Sequence, residues 1–436
     1  IQMNKYANSS GSLIGVLNLT IERAPTKPKD NANDDFTIVI SRLVTQSWLS
    51  PCSFFSLFGL FIISIPILFS PEYTVKLNGI WILTIIIMAN CAGSLFAVNN
   101  NYTQLQNKTH HNLKFQFFQL IFVGISFLGI ILLLSHSMNN YQVASLADGV
   151  FWVPNLISLD RYAGMINYPL VIKLSLYCVY PSSLLGGVIM GFSSKKYFQK
   201  FHSILPIIFA VIIGIIEATR YNIILSIVLF TSGFLAARST QNKKISSFEL
   251  IVACSSLIFG FTSIFILVQW LRQGMDPLIF ELIINRISAY YFGYLSAFSQ
   301  WVESVNLLSF SGGLITFAGP LNILGAVDRS FGFYEPIVIA PGISTNIFTA
   351  YRGLIADFTV FGAIVLFFIV GFLTQVIFNY AKNGKLFAIV PLSIFYAFII
   401  YSPIISIFHY NSIIMSWIFL TLPFLKGKNG NLDINC

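Results

Sequence analysis

Long apolar runs separated by short polar breaks recur along the chain from residue 52 onward. Ten of them are long enough to matter: 52–70, 79–98, 115–135, 168–191, 203–219, 222–237, 247–269, 353–377, 386–404 and 411–425. The hydrocarbon core of a bilayer, about 30 Å deep, takes about 20 mostly apolar residues in helix. A membrane β-barrel would instead show alternating segments of about ten residues. The pattern therefore predicts an all-α polytopic membrane protein with about ten transmembrane helices. The fifth and sixth runs are the shortest. At about 1.5 Å per residue each reaches only about 25 Å, and "EATRYN" divides them. The flanks, "SSKKYFQKFH" before and "RSTQNKK" after, are both basic. The positive-inside rule puts both in the cytoplasm, so the pair reads as a helical hairpin rather than one long broken helix.

The same rule carried along the chain places "NKTHHNLK", "NYAKNGK" and the tail "KGKNGN" inside, and both termini with them. Residues 1–50 mix "RAPTKPKDNANDD" with the apolar patch "SLIGVLNL", which is too short to span. They are expected to form a loose cytoplasmic segment, ahead of a single transmembrane domain over 51–436. The chain begins with Ile and shows no cleavage-site pattern at its start, so an internal span, the first, is expected to direct insertion. One outer connection is far longer than the rest, running from 270 to 352, too long for a passive link.

Composition agrees with this class: 56% hydrophobic residues, 9% charged residues and a mean hydropathy of +0.77 do not describe a water-soluble globule. Cys52, Cys91, Cys178, Cys254 and Cys436 are scattered and odd in number, with no disulfide framework or metal-ligand spacing. No cofactor or metal is expected. The net charge of +9 is not read as a nucleic-acid footprint, and no nucleic-acid partner is expected; membrane lipids are.

The two basic residue types separate once the topology is assigned. Fourteen of the sixteen lysines, all but Lys76 and Lys173, fall inside. Six of the nine arginines, Arg161, Arg220, Arg272, Arg286, Arg329 and Arg352, fall outside. Lysine orients the chain, whereas outside arginine opposes that bias, and its planar fork suits phosphate oxygens. An anionic ligand on the outer face is one reading. Pairing with the loop acids Asp160, Asp276, Glu281, Asp328 and Glu335 is the other.

Within the large loop, "ELIINRISAYYFGYLSAFSQWVES" (281–304) repeats apolar positions at helical spacing and predicts a helix in or near the membrane plane. Its Tyr290, Tyr291, Tyr294 and Trp301 fit either an interfacial aromatic belt or a stacking wall for sugar rings. "SFSGGLITFAGPLNILG" lacks any nucleotide-loop spacing and predicts a turn region or re-entrant loop. Arg352 and Asp357 stand at the outer mouth of the eighth span. Five helical residues turn through about 500 degrees, so they are not a helical ion pair. An ionisable residue within a span usually faces a protein cavity, which makes Asp357 a candidate site residue. Glu217 and Arg220 at the hairpin tip would reach the same vestibule, and His409, between the last two spans, also lies outside.

"YYFGYLSAF" followed by "STNIFTAYRGLIADFTVFGAIV", with an arginine-tipped hairpin upstream, resembles the O-antigen polymerase family of Wzy type over about residues 200–380. Where that family often has a Gly-Gly pair before the hairpin arginine, this chain reads "GIIEATRYN". The resemblance implies a GT-C-like glycosyltransferase of a bacterial inner membrane. It would join undecaprenyl diphosphate-linked oligosaccharide repeat units on the periplasmic side, with a chain-length regulator as a possible partner. It implies substrate-binding roles for Arg220, Arg286 and Arg352. The reaction needs cations at the diphosphate leaving group and a base for the acceptor hydroxyl. Asp357 leads the candidates for the base, with Glu217, Glu303 and His409 behind it. An O-antigen ligase uses the same donor, but is expected to place a His in or near the large loop, and residues 270–352 hold none. A flippase or transporter is expected to show paired broken helices in inverted repeats.

Overall fold

The computed structural model describes residues 48–98, 112–143, 146–192, 197–241, 262–285, 287–304, 310–327 and 334–424. The expected N-terminal segment lies outside the described residues except for its last three, as do Arg286, Asp328, Arg329 and residues 247–261 of the seventh run.

The described chain is mostly helical. Its elements are α1 (Pro51–Phe69), α2 (Leu77–Phe96), α3 (Asn112–Asn140), α4 (Leu146–Tyr162), α5 (Leu170–Tyr177), α6 (Val179–Gly191), α7 (Tyr197–Ile216) and α8 (Tyr221–Ser239). Beyond them come α9 (Thr262–Arg272), α10 (Pro277–Asn285), α11 (Ile287–Ser304), α12 (Ala318–Ile323), the strands β1 (Ile337–Ala340) and β2 (Ile343–Thr345), then α13 (Ala350–Lys382), α14 (Ile389–Tyr401) and α15 (Asn411–Leu420). Six segments are long and apolar enough to cross a membrane: α1, α2, α3, α5 with α6, α8 and α13. They make this a multi-pass membrane protein. The other four expected runs appear as shorter apolar helices, Lys200–Ile216, Thr262–Arg272, Leu386–Tyr401 and Asn411–Phe424.

The helix starts follow local chemistry. Ser50 caps α1 by accepting the Ser53 N–H, with Pro51 at the first helical position, where a missing N–H costs nothing. The centre of the bundle is α6 against α8. The spans containing them are 78% and 67% buried, against 28–39% for α1, α2, α3 and α13, whose outward residues such as Phe61, Leu68, Trp81 and Phe361 are exposed. A helix buried on every side needs small residues to admit its neighbours, and α6 supplies Ser182, Ser183, Gly186 and Gly187. A Cβ on Gly187 would overlap the Phe230 carbonyl oxygen of α8. The second close contact, α2 against α13, uses Gly93 and Gly371 in the same way.

The contacts fix relative directions. Tyr180 meets Asn222, Gly187 meets Phe230 and Phe192 meets Gln241, so α6 and α8 run parallel. Asn90 meets Phe367 and Ala97 meets Asn379, so α2 and α13 also run parallel. Phe115 against Phe192 and Gly129 against Ser175 set α3 antiparallel to α5 and α6, while Gln119 with His202 and Phe127 with Phe209 set it parallel to α7. The short runs 203–219 and 222–237 are thus two helices, α7 and α8, returning on each other. One end of the bundle gathers residues 217–222, 350–358 and 402–410. The other gathers 97, 192, 202, 241 and 379.

The 270–352 connection folds over the first of these ends. Of the helix expected over 281–304, the described residues on either side of Arg286 are helical, in α10 and α11. Across the α1–α2 connection, α11 is tied by Tyr294 Oη donating to Ile62 O at 2.8 Å, Ser296 Oγ to Thr74 O at 2.6 Å and Lys76 N to Ser299 Oγ at 2.9 Å. The β1–β2 hairpin extends the tie through Thr74 N to Ile339 O at 3.2 Å. Helix α4 had no counterpart in the sequence reading. Pro154 and the polar residues Asp148, Asn155, Asp160 and Arg161 break its apolar pattern. The eighth span is longer than expected and carries a break at Thr359, where φ 64° and ψ 172° leave helical geometry.

Candidate functional site

Of the arginines expected outside, Arg161, Arg220, Arg272 and Arg352 stand at the end of the bundle under the large connection. At the hairpin tip the chain turns through Ala218 at φ 49°, which takes Glu217 off the end of α7 and folds it back onto the first turn of α8. Glu217 is buried, 6% exposed, and Asn222 Nδ2 donates to its Oε2 at 2.9 Å. The same amide nitrogen donates to Thr219 Oγ1 at 2.9 Å, and Asn222 Oδ1 accepts the Tyr180 hydroxyl at 2.5 Å. Burial pushes the Glu217 carboxyl above the usual carboxylate range; the Arg161 charge and the Asn222 and Thr219 hydrogen bonds oppose that rise.

Arg220 leaves the same turn in another direction. Its guanidinium carbon stands 4.4 Å from the Phe265 ring centre and 4.9 Å from that of Tyr290, and its buried Nη1 has no hydrogen-bond partner. Burial holds its pKa below the ordinary arginine value. Arg272 donates Nε to Ser158 Oγ at 3.1 Å and lies 4.5 Å over Tyr162, while Asn155 of α4 holds its carbonyl at 2.8 Å. Helix α4 thus brings Arg161 and Arg272 to the hairpin tip.

A second arginine stands at the far end of α11. The Arg352 guanidinium lies 3.9 Å from Phe348, 4.0 Å from Tyr334 and 5.3 Å from Trp301, again with a buried, unpartnered Nη1. Tyr290 and Trp301 are eleven residues, about 16 Å of helical rise, apart on α11, so the two arginines are met by opposite ends of that helix. One turn below, Asp357 is fully buried. It accepts from Ser311 Oγ at 3.0 Å and Ile315 N at 3.0 Å on Oδ1, and from Thr316 N at 2.5 Å on Oδ2. Ser311 N and Gly312 N also bond the Ala356 and Asp357 carbonyls, which the break at Thr359 frees from helical partners. Asp357 is therefore the post around which the 310–317 turn is wound.

The four aromatic residues do not form one wall. Tyr290 faces Arg220, Tyr291 shares a hydrogen bond with Thr262 Oγ1 at 3.1 Å, Tyr294 is buried against α1, and Trp301 is buried beside Arg352. Glu303 pairs with Lys76 at 3.5 Å on the surface. That is the one salt bridge among the described residues, so Arg161, Arg220, Arg272 and Arg352 make no ion pair with a described acid. His409 is buried, 3% exposed, and its segment packs on Gly319 of the large connection, with Ser406 Oγ donating to Thr316 O at 2.9 Å. Sequence reading passed over Phe265, Tyr334, Phe348, Tyr180 and Asn222, which are ordinary residues of apolar stretches until the fold brings them to an arginine or a carboxylate. The chain matches no family model, no curated protein and no solved structure.

Proposed function

We propose that the protein is a membrane glycosyltransferase of the repeat-unit polymerase type, GT-C-like, with ten spans. It joins undecaprenyl diphosphate-linked oligosaccharides at the arginine-bearing, outward face. The observation that carries this reading is that the described outer arginines, Arg161, Arg220, Arg272 and Arg352, make no ion pair with a described acid, Glu335 reaching Arg352 only by its charge. Leaving a guanidinium half-buried among rings, with an unused N–H, costs stability unless something anionic completes it. A diphosphate supplies that anion, and the rings beside it suit the faces of sugars. Two such sites, at opposite ends of α11, suit a reaction in which donor and acceptor each carry a diphosphate.

In this scheme the glycosidic carbon of the donor is attacked by an acceptor hydroxyl as its bond to the diphosphate breaks. One of the two arginine sites, Arg220 with Arg272 or Arg352, holds the charge that develops on the leaving oxygens, and the other holds the acceptor's diphosphate. Asp357 shapes the vestibule by fixing the 310–317 turn, since its oxygens are already taken by three donors. A second reading, the ligase, has one observation in its favour: the fold packs the His409 segment against the large connection, next to Gly319.

The test combines a strain lacking the protein with variants restored to it. Loss of a polymerase leaves single repeat units on the acceptor lipid, whereas loss of a ligase accumulates unattached lipid-linked polymer. Arg352→Ala is expected to abolish polymer with the protein still inserted, and Arg352→Lys to restore it only in part, because an ammonium keeps the charge and loses the fork. Wild-type polymer length in Arg352→Ala removes the clamp from the scheme.

A further inference from the structure

The reaction as proposed leaves the acceptor proton without a destination. Two acids are buried among the described residues, Asp357 and Glu217. Both oxygens of Asp357 already accept hydrogen bonds from the 311–316 turn. We infer that Glu217 is the general base, with Asn222 and Tyr180 as positioning residues; this rests on the polymerase reading and assigns a step within it.

Three features carry the assignment. Glu217 lies three residues from Arg220, so the base and a diphosphate clamp share one tight turn. The Asn222 amide is locked: its nitrogen donates to Glu217 Oε2 and Thr219 Oγ1, and its oxygen accepts the Tyr180 hydroxyl. Oε2 is thereby fixed in place, and Oε1 is the oxygen assigned to the hydroxyl. Third, the carboxyl is held in surroundings that destabilise its charge, which brings a weak base toward the pH at which it must work. The titratable groups that interact at this corner are Arg161 at the end of α4, Tyr168 before α5, Tyr177 and Tyr180 at the α5–α6 junction, Tyr221 of α8 and Tyr410 before α15. Arg161 is the cation among them.

The step balances without a further reactant. The acceptor O–H proton passes to Glu217, the oxygen electron pair forms the new bond to the anomeric carbon, and the bond from that carbon to the diphosphate oxygen breaks. The leaving diphosphate keeps its electron pair beside an arginine. Glu217 returns its proton to water when product departs.

The experiment measures polymer made by purified full-length protein from lipid-linked repeat units, per folded molecule, from pH 5 to pH 9. Wild-type rate is expected to fall as pH drops, because protonation removes the base, with an inflection above the ordinary glutamate value of about 4.3. Glu217→Gln is expected to cut the rate by about 10²- to 10⁴-fold with donor binding retained, and its residual rate to lose the acid inflection. Asn222→Ala removes a donor that favours the charged form, so the inflection is expected to move to higher pH. Near-normal turnover by Glu217→Gln overturns the inference. Should that variant not fold, a wild-type profile without an acid inflection, or an inflection unmoved in Asn222→Ala, overturns it equally. If the wild-type protein builds no polymer, the polymerase reading fails and the assignment goes with it.

Discussion

Asp357 illustrates how a residue's neighbours decide its role. Its carboxylate accepts two backbone N–H groups, one on each oxygen, together with the Ser311 hydroxyl. Replacing it with Asn puts an NH2 group against one of those N–H donors whichever way the amide turns, leaving a buried donor unsatisfied at a cost of about 1–3 kcal/mol. Asp357→Asn is therefore expected to lower the thermal midpoint and folded yield in detergent, while turnover per folded molecule stays near wild type. Normal thermal stability with collapsed turnover would return Asp357 to the chemistry. The sequence made this residue conspicuous, as an acid at the mouth of a span. It could not show that the turn 41 to 46 residues upstream would consume its oxygens.

At the scale of elements, the bundle depends on helices approaching closely where glycine removes the Cβ. On α6, Gly187 lies against the Phe230 carbonyl, and on α2, Gly93 lies against the Phe368 carbonyl, whereas a Cβ on Gly124 of α3 would meet nothing within 4 Å. Gly187→Val and Gly93→Val are expected to prevent folding, seen as loss of the monodisperse peak in detergent chromatography, and Gly124→Ala to leave it intact. Equal behaviour of all three would show that these helices do not pack as described. The break in α13 belongs to the same scale. A β-branched residue at φ 64° is strained by on the order of 1–3 kcal/mol. In return, the carbonyls of Ala356 and Asp357 are free to bind the 310–317 turn. Hydropathy records only that 353–377 is apolar, and an unbroken helix and a broken one read alike.

For the whole molecule, alternating helix directions give the hairpin α7–α8 a definite consequence. Reporters fused after Lys196 and after Lys244 are expected to report the same side of the membrane, and one inserted at Gly342, in the β1–β2 turn, the opposite side. Opposite results at Lys196 and Lys244 would break the hairpin and remove Arg220 and Glu217 from the end that holds Arg352.

What the sequence determined by itself was the membrane class and the position of most helices. Each depends on local composition: a span needs its own run of apolar residues, and insertion reads the charges beside that run. Even the division of the short pair into α7 and α8 followed from basic flanks. The tertiary structure decided which arginines stand together and what stands with them. Arg352 is ringed by Trp301, Tyr334 and Phe348, and Arg220 by Phe265 and Tyr290, residues from separate elements whose meeting no spacing in the chain encodes. The two acids parted for the same reason. Asp357 met a turn with backbone N–H groups to satisfy, and Glu217 met one amide, a threonine hydroxyl and the Arg161 charge. Hydrogen bonding and burial, which set a carboxylate's basicity, arise only when distant segments pack.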